Sequence, residues 1–246
     1  MRYDFANATD VLLATEKQAD FSIHYWAEFE LFGETLYLTT THISLIILSV
    51  VLLVFALIAR SKIVKCEANE TPGKLQVICE ILVTTVDNMV RGIMGDNGPK
   101  FRNWIGTVFV FALVCNLSGL FGLRPPTADY GVTLAMGLIT FFIIHYNGVR
   151  KNGGAHFTNL TKPYFILFPI NLIGEIAVPL SLSLRLFGNV LSGTVMMGLI
   201  YGLLSPPITT GIPAVLHVYF DIFSGCIQAY VFCMLTMVYI NDKIAD

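Results

Sequence analysis

The feature that most constrains this chain is a pair of apolar segments too long to cross a membrane upright. Residues 163–204 form a mostly apolar run of 42 residues, and residues 212–240 form one of 29. A helix rises about 1.5 Å per residue, so both exceed the roughly 30 Å hydrocarbon core of a bilayer. We therefore expect two strongly tilted or bent helices, with Pro169 and Pro179 as bending points in the first.

Three shorter apolar segments have the length of an ordinary crossing helix, which is about 20 residues. They cover residues 39–59, 104–123 and 131–146. Only 13% of the chain is charged, about half the share found in soluble domains, which argues against a soluble fold. The predicted fold is an all-α membrane protein with about five transmembrane crossings.

Residues 74–94 form a segment of a different kind. Their apolar residues recur at helical spacing, but Glu80, Asp87 and Arg91 interrupt them. A helix with this pattern buries one face in the headgroup region instead of crossing the bilayer. We predict one amphipathic surface helix there.

The basic residues predict the orientation. With the N-terminus outside, 11 of the 15 Lys and Arg residues lie on the inner side, three lie outside and Arg185 is buried. The reverse orientation would contradict the positive-inside bias. We expect residues 1–38 to form an outer N-terminal segment and residues 39–246 a single membrane domain, with a long tilted hairpin at 163–241. The C-terminus is then cytoplasmic, and a bacterial plasma membrane is the expected location.

Arg185 stands near the middle of the long apolar segment, where an Arg costs about 2.5–3.5 kcal/mol. It can snorkel to the interface if the helix is strongly tilted, or pair with a buried acid of this chain, Glu175 or Asp221. The third alternative is a carboxylate that arrives from another subunit. Arg suits that role because it keeps its charge where Lys can lose its proton.

The neighbours of Arg185 are polar at helical spacing. Ser181 and Asn189 stand four residues before and after it, so all three share a helix face. Such residues either line a water path or allow close helix packing. Glu175 either lines an inner exit path or snorkels to the inner surface.

The last apolar segment contributes a second polar set. Asp221 and Gln228 are seven residues apart and are expected to share a face, and buried acids in membrane segments mark ion paths. Gln228 can instead join helices by hydrogen bonds. His217, one turn before Asp221, either bonds it or lies at the outer interface. The spacing of His, Cys and acidic residues predicts no metal or cofactor, and no basic cluster points to nucleic acid.

Three stretches of this sequence resemble subunit a of the F-type ATP synthase membrane sector: SLSLRLFGNVLSG at 181–193, IQAYVFCMLTMVYI at 227–240 and PPTADYGVTLAMGL at 125–138. The resemblance implies a stator that conducts protons or sodium ions through two offset half-channels. The ions pass to and from the carboxylates of a rotating c-ring, and their flow is coupled to ATP synthesis. The c-ring, the peripheral-stalk b subunits and membrane lipid are the implied partners, and no catalytic site of its own is implied.

The resemblance also implies residue roles. Arg185 matches the family's essential arginine, Asn189 and Gln228 its polar channel residues, and Ser181 and Glu175 fall where the inner half-channel lies. Thr194 departs from the pattern, because many members carry Glu or His there.

At Asp221 many members carry His or Glu, and at Val178 a basic residue is common. The choice between protons and sodium ions, the size of the ring and the outer path of the ion stay open. A secondary transporter, the main alternative, would show paired repeats, and none is visible; a structural anchor would have no buried charge.

Overall fold

A computed structural model describes residues 25–31, 34–65, 73–153, 166, 168–203 and 212–244. In these ranges the chain forms a two-stranded hairpin followed by helices. In chain order the elements are β1 (Tyr25–Leu31), β2 (Glu34–Thr39), α1 (Thr40–Val64), α2 (Lys74–Met94), α3 (Gly98–Leu117), α4 (Tyr130–Asn152), α5 (Phe168–Leu203), α6 (Ile212–His217) and α7 (Gly225–Ile244). Short 3-10 turns cover Gly95–Asn97, Ser118–Phe121 and Pro126–Ala128, and a π-helix covers Val218–Ser224.

The helical membrane region agrees with the prediction. Among the residues that the structure describes, five helical stretches are long and apolar enough to cross a membrane. They are Thr40–Val64, Lys74–Phe121, Tyr130–Asn152, Phe168–Ile200 and Val215–Ile244. The antiparallel hairpin of β1 and β2 falls almost entirely in the predicted outer segment. The sequence analysis assigned no helix or strand to that segment. From residue 40 onward, the described elements are helices, as predicted.

Helix α2 has the bounds predicted from its amphipathic pattern, Lys74–Met94. Its buried face carries Val86, Val90 and Met94. Gly95, with φ at 52°, stands at the turn between α2 and α3. The two helices pack against each other, and their approach is close at Gly98, where a Cβ would lie 3.0 Å from Val90 Cγ1. The placement of α2 on the membrane surface stays a prediction.

The last helix, α7, lies at the centre of the packing. It contacts α2, α3, α4 and α5. Its side chains Phe232, Cys233, Met237 and Ile240 are almost fully buried. The hydrophobic core is therefore built around the second of the two long segments that the sequence singled out.

The long helix α5 packs closely on α4. A Cβ at Gly137 of α4 would lie 2.8 Å from the carbonyl oxygen of Pro179, so only glycine allows this approach. Pro179 lies inside α5. Pro169, by contrast, stands in the first turn of the described helix, where a missing N–H costs little. Because the helix is described only from Phe168 onward, the expectation that Pro169 bends it stays a prediction.

The final long segment is not one α-helix. Between α6 and α7 the backbone forms seven residues of π-helix, Val218–Ser224. π-Helical turns are rare and occur mostly as single turns within α-helices, often at functional sites. Apolar periodicity over residues 212–240 gave no indication of this wider turn.

Candidate functional site

Arg185 lies at the middle of the 36-residue helix α5. Its side chain is exposed at the surface of this chain, whereas Leu182 and Leu186 beside it are buried in the core. The prediction that Arg185 lies within the membrane stays a prediction. In the chain by itself the side chain is exposed, because the α5 face that carries it points away from the core. A guanidinium on the outside of an apolar helix is costly in lipid, so this face needs a polar contact.

The two acids considered as partners of Arg185 bond other residues. Glu175 accepts a hydrogen bond from Lys243 Nζ, and its Oε2 lies 3.8 Å from His145 Nε2. The Asp221 Oδ2 atom lies 2.7 Å from His217 Nδ1. Among the residues that the structure describes, no ion pair to Arg185 is formed.

Asn189 links α5 to the π-helix. The Ser224 hydroxyl donates a hydrogen bond of 2.6 Å to Asn189 Oδ1. The Ser192 hydroxyl donates a hydrogen bond of 3.0 Å to the carbonyl oxygen of Asn189, within its own helix. The polar face predicted for α5 is therefore tied at Asn189 to the segment that carries Asp221.

The π-helix changes the geometry expected for Asp221 and Gln228. Their shared face assumed an uninterrupted period of 3.6 residues, and the wider turn at Val218–Ser224 breaks that period. The Asp221 side chain is 23% exposed, and its carboxylate comes close to the 3-10 turn that follows α3, since a Cβ at Gly119 would lie 3.8 Å from Oδ1. The inference of a shared face therefore does not apply.

Gln228 is buried, and its Nε2 atom has no hydrogen-bond acceptor in the described ranges. A buried donor without an acceptor costs about 1–3 kcal/mol. Such a side chain is unusual in a packed core. Its amide is therefore available to a water molecule or to a group from outside the chain.

Two polar residues near the same place were missed from the sequence. Asn116 donates through Nδ2 to the carbonyl oxygen of Gly225 at 3.0 Å, and Thr127 donates to Asn116 Oδ1 at 3.0 Å. Both side chains are buried. The signal was available, because an amide inside an apolar run needs a partner, but the position of that partner 109 residues away could not be read from the sequence.

The two remaining predicted residues lie on the exposed side of α5. Thr194 donates to the carbonyl oxygen of Val190 at 2.9 Å, within its own helix. Ser181 is exposed one turn before Arg185. Neither is brought into contact with Asp221 by any described hydrogen bond.

Four of the predicted residues, Asn189, Asp221, His217 and Glu175, thus belong to two polar clusters that contact α5 on either side of Arg185. The outer cluster, named for the predicted orientation, consists of Asp221, His217, Ser224 and Asn189. The inner cluster consists of Glu175, Lys243 and His145. Glu175 stands ten residues before Arg185, about 15 Å along the helix, and Asn189 four residues after it. Arg185 therefore lies between the two clusters.

No metal centre is formed by these groups. Within the part of the chain that the structure describes, no three His, Cys, Asp or Glu side chains are arranged to hold a metal ion. The inner cluster contains one acid, one amine and one imidazole, and the outer cluster one acid and one imidazole. Each cluster therefore places a carboxylate close to an imidazole, two kinds of group that can bind a proton.

The comparisons with known proteins show the family to which this chain is similar. The protein family described as ATP synthase A chain matches residues 42–241. "ATP synthase subunit a, sodium ion specific" of Propionigenium modestum is 38% identical over 192 residues, which are 71% of this chain and 65% of that protein. "ATP synthase subunit a" of Acidothermus cellulolyticus is 36% identical over 176 residues, 68% of this chain and 64% of that protein.

A third relative, "ATP synthase subunit a" of Staphylococcus saprophyticus, is 36% identical over 224 residues, 82% of this chain and 88% of that protein. The chain spans just under two thirds of the length of the first two relatives and most of the third.

Proposed function

This chain belongs to the ATP synthase A chain family, and from that premise we propose that it is the ion-conducting stator subunit of an F-type ATP synthase. It passes ions to and from the carboxylates of a rotating c-ring, and the flow drives ATP synthesis. Its other partners are the peripheral-stalk b subunits and membrane lipid. Residues 1–38 lie outside, residues 39–246 form one membrane domain, and the C-terminus is cytoplasmic.

The observation that carries this proposal is the exposed guanidinium of Arg185 at the middle of α5. Placing it in the membrane costs about 2.5–3.5 kcal/mol. A carboxylate from another subunit at 4 Å, with an effective dielectric constant near 20, would attract it by about 4 kcal/mol. The attraction is large enough to offset the cost, so a ring of carboxylates is a suitable partner for this face.

Arg185 would act on the ring in two ways. Its charge favours the ionised form of a passing carboxylate, so that carboxylate releases its ion. The same charge repels a free cation and blocks a direct leak between the two half-channels. A membrane potential of 100 mV then supplies about 2.3 kcal/mol for each charge moved.

The two clusters supply the two half-channels of the proposal. The ion arrives past Asp221 and His217, with Asn189 and Gln228 as polar lining, and loads a ring carboxylate. After almost a full turn of the ring, the ion leaves past Ser181 and Glu175. Thr194 lines the outer path without ionising.

The coupling ion is a proton or a sodium ion. Sodium is a serious candidate because a relative at 38% identity is named as sodium ion specific. Passive ion flux through the membrane sector, measured without the catalytic head across pH and sodium concentration, separates the two. Flux that saturates with sodium and persists at high pH identifies sodium.

The central experiment is Arg185→Ala in the assembled complex. We expect ATP synthesis and ATP-driven ion pumping to be abolished while the subunit still assembles, because Arg185 contributes nothing to the core. Arg185→Lys should be severely impaired, since Lys lacks the permanent charge and the fork geometry. Arg60→Ala, which removes another exposed cation, is the matched control. Coupled synthesis in assembled Arg185→Ala complexes would refute the proposed function.

The outer path is tested by Asp221→Asn. This change keeps shape but removes the charge, and we expect a several-fold slower passive flux with an altered pH or sodium dependence. Asp129→Asn is the control, because Asp129 caps α4 by accepting from the Gly131 N–H and asparagine preserves that cap. Unchanged flux in Asp221→Asn would show that ions arrive by another route.

A further inference from the structure

A basic pocket lies where α3 begins and where α4 and α7 end. Its volume is about 370 Å³, within the range of ligand pockets, about 300–1,000 Å³. Three cations line it, Lys100, Arg150 and Lys151, and Phe101 and Ile244 form an apolar side. None of its described lining residues is acidic; Asp96 and Asp242 are exposed nearby in the sequence.

Helix stabilisation explains only part of this charge. Arg150 and Lys151 occupy the last turn of α4, where cations stabilise the negative end of the helix dipole. Lys100 occupies the first turn of α3, where the same dipole disfavours a cation. Lys151 also donates a hydrogen bond to the carbonyl oxygen of Ile244, which holds the end of α7 at the pocket. The cost of Lys100 at this position is offset if an anion binds between the three side chains.

We propose that this pocket binds the phosphate headgroup of an anionic phospholipid. In the predicted orientation the pocket lies on the inner side of the membrane, and basic pockets between membrane helices on that side suit such headgroups. Phe101 and Ile244 provide an apolar flank for the first part of the acyl chains, which a free phosphate would not need. The proposal rests on the pocket's charge and orientation and not on ion conduction, so it can fail while the stator function stands.

The test uses the detergent-solubilised complex and follows thermal aggregation of this subunit by immunoblot. Phosphatidylglycerol should raise the midpoint temperature, because a ligand that binds only the folded state stabilises it. In the variant Lys100→Gln with Arg150→Gln, the lipid concentration for half of that shift should rise at least tenfold, equivalent to about 1.4 kcal/mol. Arg60→Gln with Lys62→Gln, two exposed cations at the end of α1, should leave it unchanged.

The other outcomes overturn the proposal. A pocket variant that responds like the wild type would show that the lipid binds elsewhere, and so would an equal shift with phosphatidylcholine. An equal shift with inorganic phosphate alone would show a free-anion site. If the double variant does not assemble, Lys100→Gln alone must weaken the response at least threefold, and Lys100→Arg must retain it. The headgroup site is also refuted if Lys100→Gln keeps the full response or if Lys100→Arg loses it.

Discussion

Gly137→Ala tests whether the approach of α4 to α5 positions Arg185. The new Cβ would lie 2.8 Å from the Pro179 carbonyl oxygen and 3.5 Å from Ser183 Cβ. Ordinary close C···O contacts are about 3.3–3.6 Å, so α5 must retreat by roughly half an ångström. Neither contact is the flexible end of a side chain, and the strain cannot be relieved by a rotamer change.

Two magnitudes decide which effect of this retreat dominates. Overpacking of this kind costs about 1–3 kcal/mol of stability. Arg185 lies six residues after Pro179, about 9 Å further along the axis of α5. If the shift changed the distance between Arg185 and a ring carboxylate by half an ångström, between 4 and 4.5 Å, the attraction at an effective dielectric constant of 20 would change by about 0.5 kcal/mol, roughly a twofold effect. We therefore expect a clear loss of stability and only about a twofold change in ion pumping.

The assay measures the thermal midpoint of the subunit in the complex together with ATP-driven ion pumping. We expect the thermal midpoint to fall by about 2–4 °C for each kcal/mol of unfolding free energy that is lost. Gly174→Ala is the matched control, because a Cβ at Gly174 of α5 meets nothing within 4 Å. The reasoning is refuted if Gly137→Ala and Gly174→Ala behave alike in both measurements.

Three further predictions concern the clusters and the orientation. Glu175→Gln removes the carboxylate that pairs with Lys243 and should lower the thermal midpoint more than the control Glu80→Gln, at an exposed position. Equal midpoints in the two variants would show that the ion pair does not stabilise the packing of α5 on α7. Ser224→Ala removes the donor to Asn189 and should slow passive flux in assembled complexes, whereas Ser192→Ala should not; equal fluxes would remove Ser224 from the path. In a cysteine-free background, an impermeant thiol reagent applied outside should label Phe121→Cys and spare Lys65→Cys, both exposed; the reverse pattern would overturn the orientation.

Much of the fold could be predicted because bilayer thickness and helical rise leave few solutions for a chain this apolar. The helix at Lys74–Met94 has the predicted bounds, since its period and flanking glycines are local signals. The lengths of the other crossings follow equally from local hydropathy. The sequence also placed Arg185 mid-helix, but the direction of its side chain depends on which α5 face packs against the core, and that is a tertiary property.

The long-range pairings of the site lay beyond sequence reasoning. Lys243 bonds Glu175 from 68 residues away, and Asn116 bonds Gly225 from 109 residues away. The π-helix was missed for a related reason. A Cβ at Gly225, the residue after the π-helix, would lie 3.2 Å from Asn116 Cβ, so the backbone beside the wider turn is packed closely against α3. Hydropathy carries no information about such a contact.

The π-helix at Val218–Ser224 also affects how this chain should be aligned with its relatives. A π-helical turn accommodates one residue more than an α-helical turn, as a single-residue insertion in an ancestral helix would. Counting back seven positions from Gln228 therefore reaches a structurally equivalent position only in relatives that share the π-helical turn. In a relative with a continuous α-helix, the same count arrives about 100° further round the axis. Asp221 should therefore be matched to the ionisable residues of other members by superposition of structures, and not by counting positions from Gln228.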